Sequence, residues 1–114
     1  MDTWKERLAL YDRIIDLSPL FDRKGKTVPY TSANGYMFSQ LNKAGEIGIR
    51  LPKETQKAFR EKYQTAEFRS YGAVMRDYVH VPESLFSEPE VIAQYLEEGF
   101  HFVMSLPLIP QKNE

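Results

Sequence analysis

The sequence predicts an α+β domain: a two-layer sandwich with an antiparallel sheet and helices on one face. Three observations carry that reading. Residues 29–52 hold three short strand-like runs separated by two turn signals. Asn34-Gly35 suits a tight hairpin, because both residues tolerate positive φ. Asn42-Lys43-Ala44-Gly45 suits a longer turn ending in a left-handed glycine. Helical periodicity flanks this meander on both sides.

The elements follow in order. Residues 2–17 read as a helix, with Trp4, Leu8, Tyr11 and Ile15 on one apolar stripe. Asp2 or Thr3 can cap it, and Glu6 completes a capping box with Thr3. Ser18-Pro19 ends it. Strand one covers residues 27–32, strand two 36–41 and strand three 46–51. In strand three Ile47, Ile49 and Leu51 alternate with Glu46, Gly48 and Arg50. Pro29 removes a ladder donor, which makes strand one an edge or irregular strand. Residues 53–63 read as a second helix, with Ala58, Phe59 and Tyr63 as its apolar face. Two further strands are expected over 67–71 and 76–81, joined through Gly72-Ala73-Val74. Residues 82–86 form one short helical turn. Ser87 as cap, Pro89 in the first turn and Glu90 then start a last helix running to about Ser105. Its stripe is Val91, Ile92, Tyr95, Leu96, Phe102, Val103 and Leu106. Pro107 and Pro110 end it, and the polar tail frays. The order is α-β-β-β-α-β-β-α, in one domain over residues 1–114, with the strand order left open.

Composition narrows the function classes. The chain has 114 residues, enough for one core without staples. Fifteen aromatic residues (seven Tyr, seven Phe and one Trp) argue for an ordered core. Without cysteine there is neither a disulfide nor a thiolate nucleophile, which is compatible with a cytoplasmic setting. No apolar run reaches the roughly 18 residues of a membrane helix. The acidic N-terminal stretch lacks a secretory core.

Reactive constellations fail on inspection. His80 and His101 are the two histidines, one on a strand and one on the last helix. No metal-ligand spacing is met, so neither a metal nor a cofactor is expected. Gly25, Gly35 and Gly45 read as turn glycines, since no phosphate-loop pattern contains them. Glu97 and Glu98 are adjacent on a helix and do not face each other, a poor acid/base pair. The residues therefore point to a protein that is not an enzyme.

Two surfaces remain as candidates. Lys26, Tyr30, Arg50, Tyr71 and Tyr78 could share the sheet as a platform for a peptide strand or small anion. Lys53, Lys57, Arg60 and Lys62 make the second helix basic, and Lys24 and Lys26 could extend that patch toward phosphates. Residues 1–80 carry 14 Lys/Arg against 10 Asp/Glu, whereas residues 81–111 carry five Glu and no cation. With a pI near 6.1, this footprint implies DNA association that is weak or absent, near ~10⁻⁴ M at most.

Three segments together resemble the TfoX N-terminal domain family. They are Lys24-Gly-Lys-Thr-Val-Pro-Tyr-Thr-Ser-Ala-Asn-Gly-Tyr-Met-Phe38, Ile47-Gly-Ile-Arg-Leu-Pro52 and Tyr71-Gly-Ala-Val-Met-Arg-Asp-Tyr-Val-His-Val-Pro82. A final helix ending in Ser105-Leu-Pro107 is similar too, so the resemblance covers residues 20–108. It implies a two-layer α+β domain, grouped with YgaC-like and secretion-chaperone-like folds. It also implies a bacterial role in regulation, of the kind exercised over natural competence genes. Two-domain members carry a further C-terminal helical domain, while this sequence stops soon after Pro110. The family has no established catalytic residue to carry over. The expectation is a non-enzymatic interaction or regulatory domain acting through an unknown protein partner. A nucleic-acid-associated regulator is the alternative, and a small-molecule binder or enzyme on the Arg50/Tyr platform a further one. Self-association as a homodimer through a sheet edge is also expected.

Overall fold

A computed structural model describes residues 3–108. Three α-helices and five strands occur in the expected order: α1 (Trp4–Asp16), β1 (Tyr30–Ala33), β2 (Tyr36–Leu41), β3 (Ile47–Arg50), α2 (Lys53–Tyr63), β4 (Glu67–Ser70), β5 (Ala73–His80) and α3 (Pro89–Met104). A 3-10 turn over Glu83–Leu85 precedes α3. The expectation of a frayed tail falls outside the described residues.

Local chemistry explains most boundaries. The Thr3 hydroxyl accepts from the Glu6 N–H, and the Glu6 carboxylate accepts from the Thr3 N–H. This capping box satisfies two backbone donors that the helix itself cannot. Asn34 and Gly35 take φ of 55° and 84°, closing the β1–β2 hairpin in two residues. Gly45 takes φ of 80° and donates to the Asn42 carbonyl. Asn42 ties that turn to its surroundings. Its Nδ2 donates to Glu46 and to the Arg69 carbonyl, and its own carbonyl accepts from Trp4.

Several boundaries depart from the sequence reading. β1 begins after Pro29 rather than at Thr27; the proline donates nothing to the ladder, though its carbonyl accepts from the Leu41 N–H. β5 begins at Ala73, because Tyr71 and Gly72 both take positive φ and turn the chain in two residues. Glu88 caps α3 without a side-chain bond, which displaces Ser87 from that role; Pro89 occupies the first turn. On α2 it is Gln56, not Ala58, that is buried with Phe59. Its amide donates to the Leu51 carbonyl, and that bond is what makes burial of the amide tolerable.

The sheet order is β1-β2-β3-β5-β4, every pair antiparallel. β1 is an edge strand, as its neighbouring proline implies. One face carries Ile47, Ile49, Leu51 and Val79, packed under Tyr11, Ile14, Ile92, Leu96 and Val103 of α1 and α3. α2 joins this layer through Phe59, whose ring meets Tyr95 edge-on at 4.8 Å. A buried hydroxyl chain, Tyr11 to Ser39 to Thr31, links α1 to the sheet. Burial pushes the Tyr11 hydroxyl well above the ordinary tyrosine range, with the bonds to Ser39 and Thr31 opposing the shift.

Gly99 sets the height of α3 over the sheet. A methyl group there would lie 2.7 Å from the Arg50 carbonyl oxygen. No residue with a side chain lets the helix approach β3 so closely.

Candidate functional site

The second face of the sheet is where the chain departs from simple packing. Tyr30, Gln40, Gly48 and His80 lie in register across β1, β2, β3 and β5. Cross-strand partners share a face, so all four point away from the helices. Gly48 is bare because Phe68 covers it: a Cβ at Gly48 would lie 2.4 Å from the Phe68 ring. Phe68 is fully buried and stacks on Tyr78, centroids 6.0 Å apart. The Tyr78 hydroxyl donates to the Met37 carbonyl. Burial pushes that hydroxyl upward, against the pull of the Arg50 charge.

Beyond Phe68 this face stays open as a trough of about 500 Å³. The loop before β1 forms one wall and the tip of the β4–β5 hairpin the other. Lys26, Tyr30, Met37, Gln40, Lys43 and Tyr71 line it. The loop wall is held firmly. Lys24 and Tyr30 exchange both backbone hydrogen bonds, and Gly25 turns between them at φ of 81°, its missing Cβ making room for the Val28 carbonyl. The opposite wall is strained. Tyr71 holds φ of 55° and is 75% exposed. A left-handed tyrosine costs on the order of 1 kcal/mol or more, and such strain concentrates at functional positions.

The electrostatics of the trough are one-sided. No carboxylate lines it, and among the described residues neither Lys26 nor Lys43 forms an ion pair. At its base Gln40 is only 3% exposed, yet its Oε1 has no hydrogen-bond partner. Its Nε2 reaches only the Met37 sulfur, at 3.7 Å. An unsatisfied buried amide oxygen costs about 1–3 kcal/mol. The oxygen is closed to solvent, so the fold itself carries that cost.

The five-residue platform expected from sequence thus divides. Lys26, Tyr30 and Tyr71 come together in the trough. Arg50 and Tyr78 do not line it. Arg50 turns toward the rings of Tyr36 and Phe102, 5.4 and 5.7 Å from their centres, and its guanidinium lies 3.7 Å from Asp77. Tyr78 is buried under Phe68. Gln40, Lys43 and Met37 escaped sequence reading. Gln40 occupies an ordinary strand position, and only the bulge in the β1–β2 ladder beside it would have hinted at special geometry.

The basic patch divides as well. Lys53, Lys57 and Arg60 line a cleft of about 590 Å³ between α2 and β5, but Glu61 and Asp77 share it. Arg60, expected to be exposed, is half-buried. It donates to the Tyr78 carbonyl and to Gln56, so it serves as a strut between α2 and the sheet. Lys62 lies over the Tyr63 ring and lines a different cleft, with Glu88 and Glu98. Lys24 donates to Ser32, and Lys26 belongs to the trough. The six cations therefore do not line one common cleft.

His80 lies 3.7 Å from Glu46, while His101 packs against Phe100 on exposed helix surface. Among the described residues no group of three or more His, Cys, Asp or Glu could hold a metal ion, and no helix is long and apolar enough to cross a membrane. No family model, curated protein or solved structure matches the chain.

Proposed function

We propose that this chain is a non-enzymatic regulatory domain, of the kind the TfoX resemblance implies, that binds a small anionic ligand in the second-face trough. The observation that carries this reading is a trough lined by no carboxylate, with Lys26 and Lys43 on its walls and neither in an ion pair among the described residues. Two cations supply charge-assisted bonds to an anion, and the aromatic and methionine walls supply apolar area. The volume falls within the range of small-molecule sites.

The test is a ¹H–¹⁵N NMR titration of the labelled chain with inorganic pyrophosphate and with citrate. Shifts are expected in residues 24–30, 37–43 and 71–75, and they should vanish in the Lys26→Ala/Lys43→Ala double variant. Shifts centred on α2 instead, or none at millimolar ligand, would overturn the reading.

A further inference from the structure

We infer that the cleft between the end of α2 and the start of α3 docks an arginine-bearing segment of a partner protein, at a site independent of the trough. Val91, Tyr95 and Glu98 fall at i, i+4 and i+7 on α3, so one face of the helix presents them together. With Tyr63, Leu85 and Glu88 they line a cleft of about 500 Å³. Leu85 is buried, Tyr63, Val91 and Tyr95 are half-buried, and Glu88 and Glu98 are exposed. The cleft therefore has apolar walls and an acidic rim. Neither Glu88 nor Glu98 forms an ion pair among the described residues. Both belong to the stretch over 81–111 that carries five Glu and no cation. Charge complementarity selects a cationic occupant.

The walls narrow the kind of cation. Lys62 lines the same cleft, and its Nζ lies over the Tyr63 ring, 5.4 Å from the centre, so one face of that ring already receives a cation there. Tyr63 in turn meets Tyr95 edge-on at 6.2 Å. Burial pushes the Tyr95 hydroxyl up to about 12, and the Tyr63 side chain and the Glu98 charge push the same way, so a further negative charge is disfavoured at this spot. Arginine combines what the cleft offers. Its delocalised charge stacks on a ring face, its forked donors match a carboxylate, and its three-carbon stem lies against apolar walls. A bare metal ion finds too few ligands, since no group of three or more His, Cys, Asp or Glu gathers among the described residues. The exposed rim leaves room for the chain that bears the arginine. The α2–β5 cleft does not share this character, because Lys53, Lys57, Arg60 and Arg76 line it.

The experiment titrates the ¹⁵N-labelled chain with an acetylated, amidated hexapeptide alternating arginine and leucine, and with its counterpart carrying citrulline for arginine. Citrulline keeps the shape and removes the charge. Shifts are expected over residues 61–64 and 85–98, and the arginine peptide should bind at least about fivefold more tightly than the citrulline one. Glu98→Gln should weaken the arginine peptide by about two- to fivefold. Lys62→Ala should strengthen it, by roughly twofold or more, because the resident cation no longer competes. Both positions are exposed, so both variants should melt as the wild type does. Equal binding of the two peptides, shifts centred elsewhere or absent, or weaker binding by Lys62→Ala each overturns the inference. Concentration-dependent shifts over the same residues without peptide identify a second copy of this chain as the occupant, and spermidine binding as tightly as the arginine peptide identifies a free polyamine; either overturns the partner assignment. Pyrophosphate shifts in the trough are unaffected by both variants, so failure here leaves that reading standing.

Discussion

Gly99→Ala sets two opposite effects against each other, and the structure says which one wins. Inside a helix, alanine is favoured over glycine by about 1 kcal/mol, because the unfolded chain loses less freedom. On that ground alone the variant would be more stable. The new methyl group, however, would lie 2.7 Å from the Arg50 carbonyl oxygen and 3.3 Å from Ile49 Cγ2. Arg50 belongs to the central strand, which is paired on both sides, so its carbonyl cannot retreat. Relief requires α3 to lift by roughly 0.7 Å to reach ordinary contact distance. That loosens Ile92, Leu96 and Val103 from the sheet. Overpacking of this kind costs about 1–3 kcal/mol. Net destabilisation should be about 1 kcal/mol, and no more than about 2, a fall in Tm of roughly 4 °C and at most about 8 °C for a domain of this size. Circular-dichroism melts of the two proteins measure it. A Gly99→Ala melt at or above the wild-type temperature would refute the close approach of α3 to β3.

Two further outcomes follow from described geometry. Gly45→Val should destabilise by at least about 1 kcal/mol, because φ of 80° is unfavourable for a β-branched residue and its Cβ would press on the Arg7 side chain; a melt matching wild type would contradict the turn. Tyr11 and Tyr78 both hold their protons more tightly when folded, so their contribution is intact below the ordinary tyrosine pKa near 10 and is lost as pH rises above it. Urea denaturation between pH 9 and 11 should show stability falling above pH ~10 by up to about 1.4 kcal/mol per pH unit for each tyrosine, and Tyr11→Phe should shallow that slope.

How much of this was legible in the sequence depends on the range of the interaction. Asn34-Gly35, Gly45 and the Thr3/Glu6 box act within a few residues, and their chemistry shows in the letters themselves. Tyr71-Gly72 does not, because tyrosine is a poor left-handed residue and nothing local asks for it; the turn is imposed by the pairing of Ser70 with Ala73. Gln56 and Arg60 read as solvated helix surface, yet carbonyls of Leu51 and Tyr78 draw both inward. The glycines at 48 and 99 look like weak strand and helix residues until the Phe68 ring and the Arg50 carbonyl are placed against them. Of the candidate site, the tyrosines and Lys26 were visible as residue types. Their grouping with Gln40 and Lys43 rests on the sheet order, which brings the β4–β5 hairpin to the same trough as β2 and the loop before β1.

The sheet order carries a kinetic consequence. β1, β2 and β3 join through short turns, and β4 and β5 through a two-residue turn, so each group can assemble from near neighbours in the chain. The seam between the groups pairs Gly48 with His80, which are far apart in sequence. Closing that loop carries an entropic cost before any contact repays it, which makes the seam the slow event of folding. Phe68 crosses the same seam to cover Gly48, so one ring seals the joint. A chain that has not yet joined its two halves has no trough, because its lining comes from both: Tyr30 and Gln40 from one, Tyr71 and Met75 from the other.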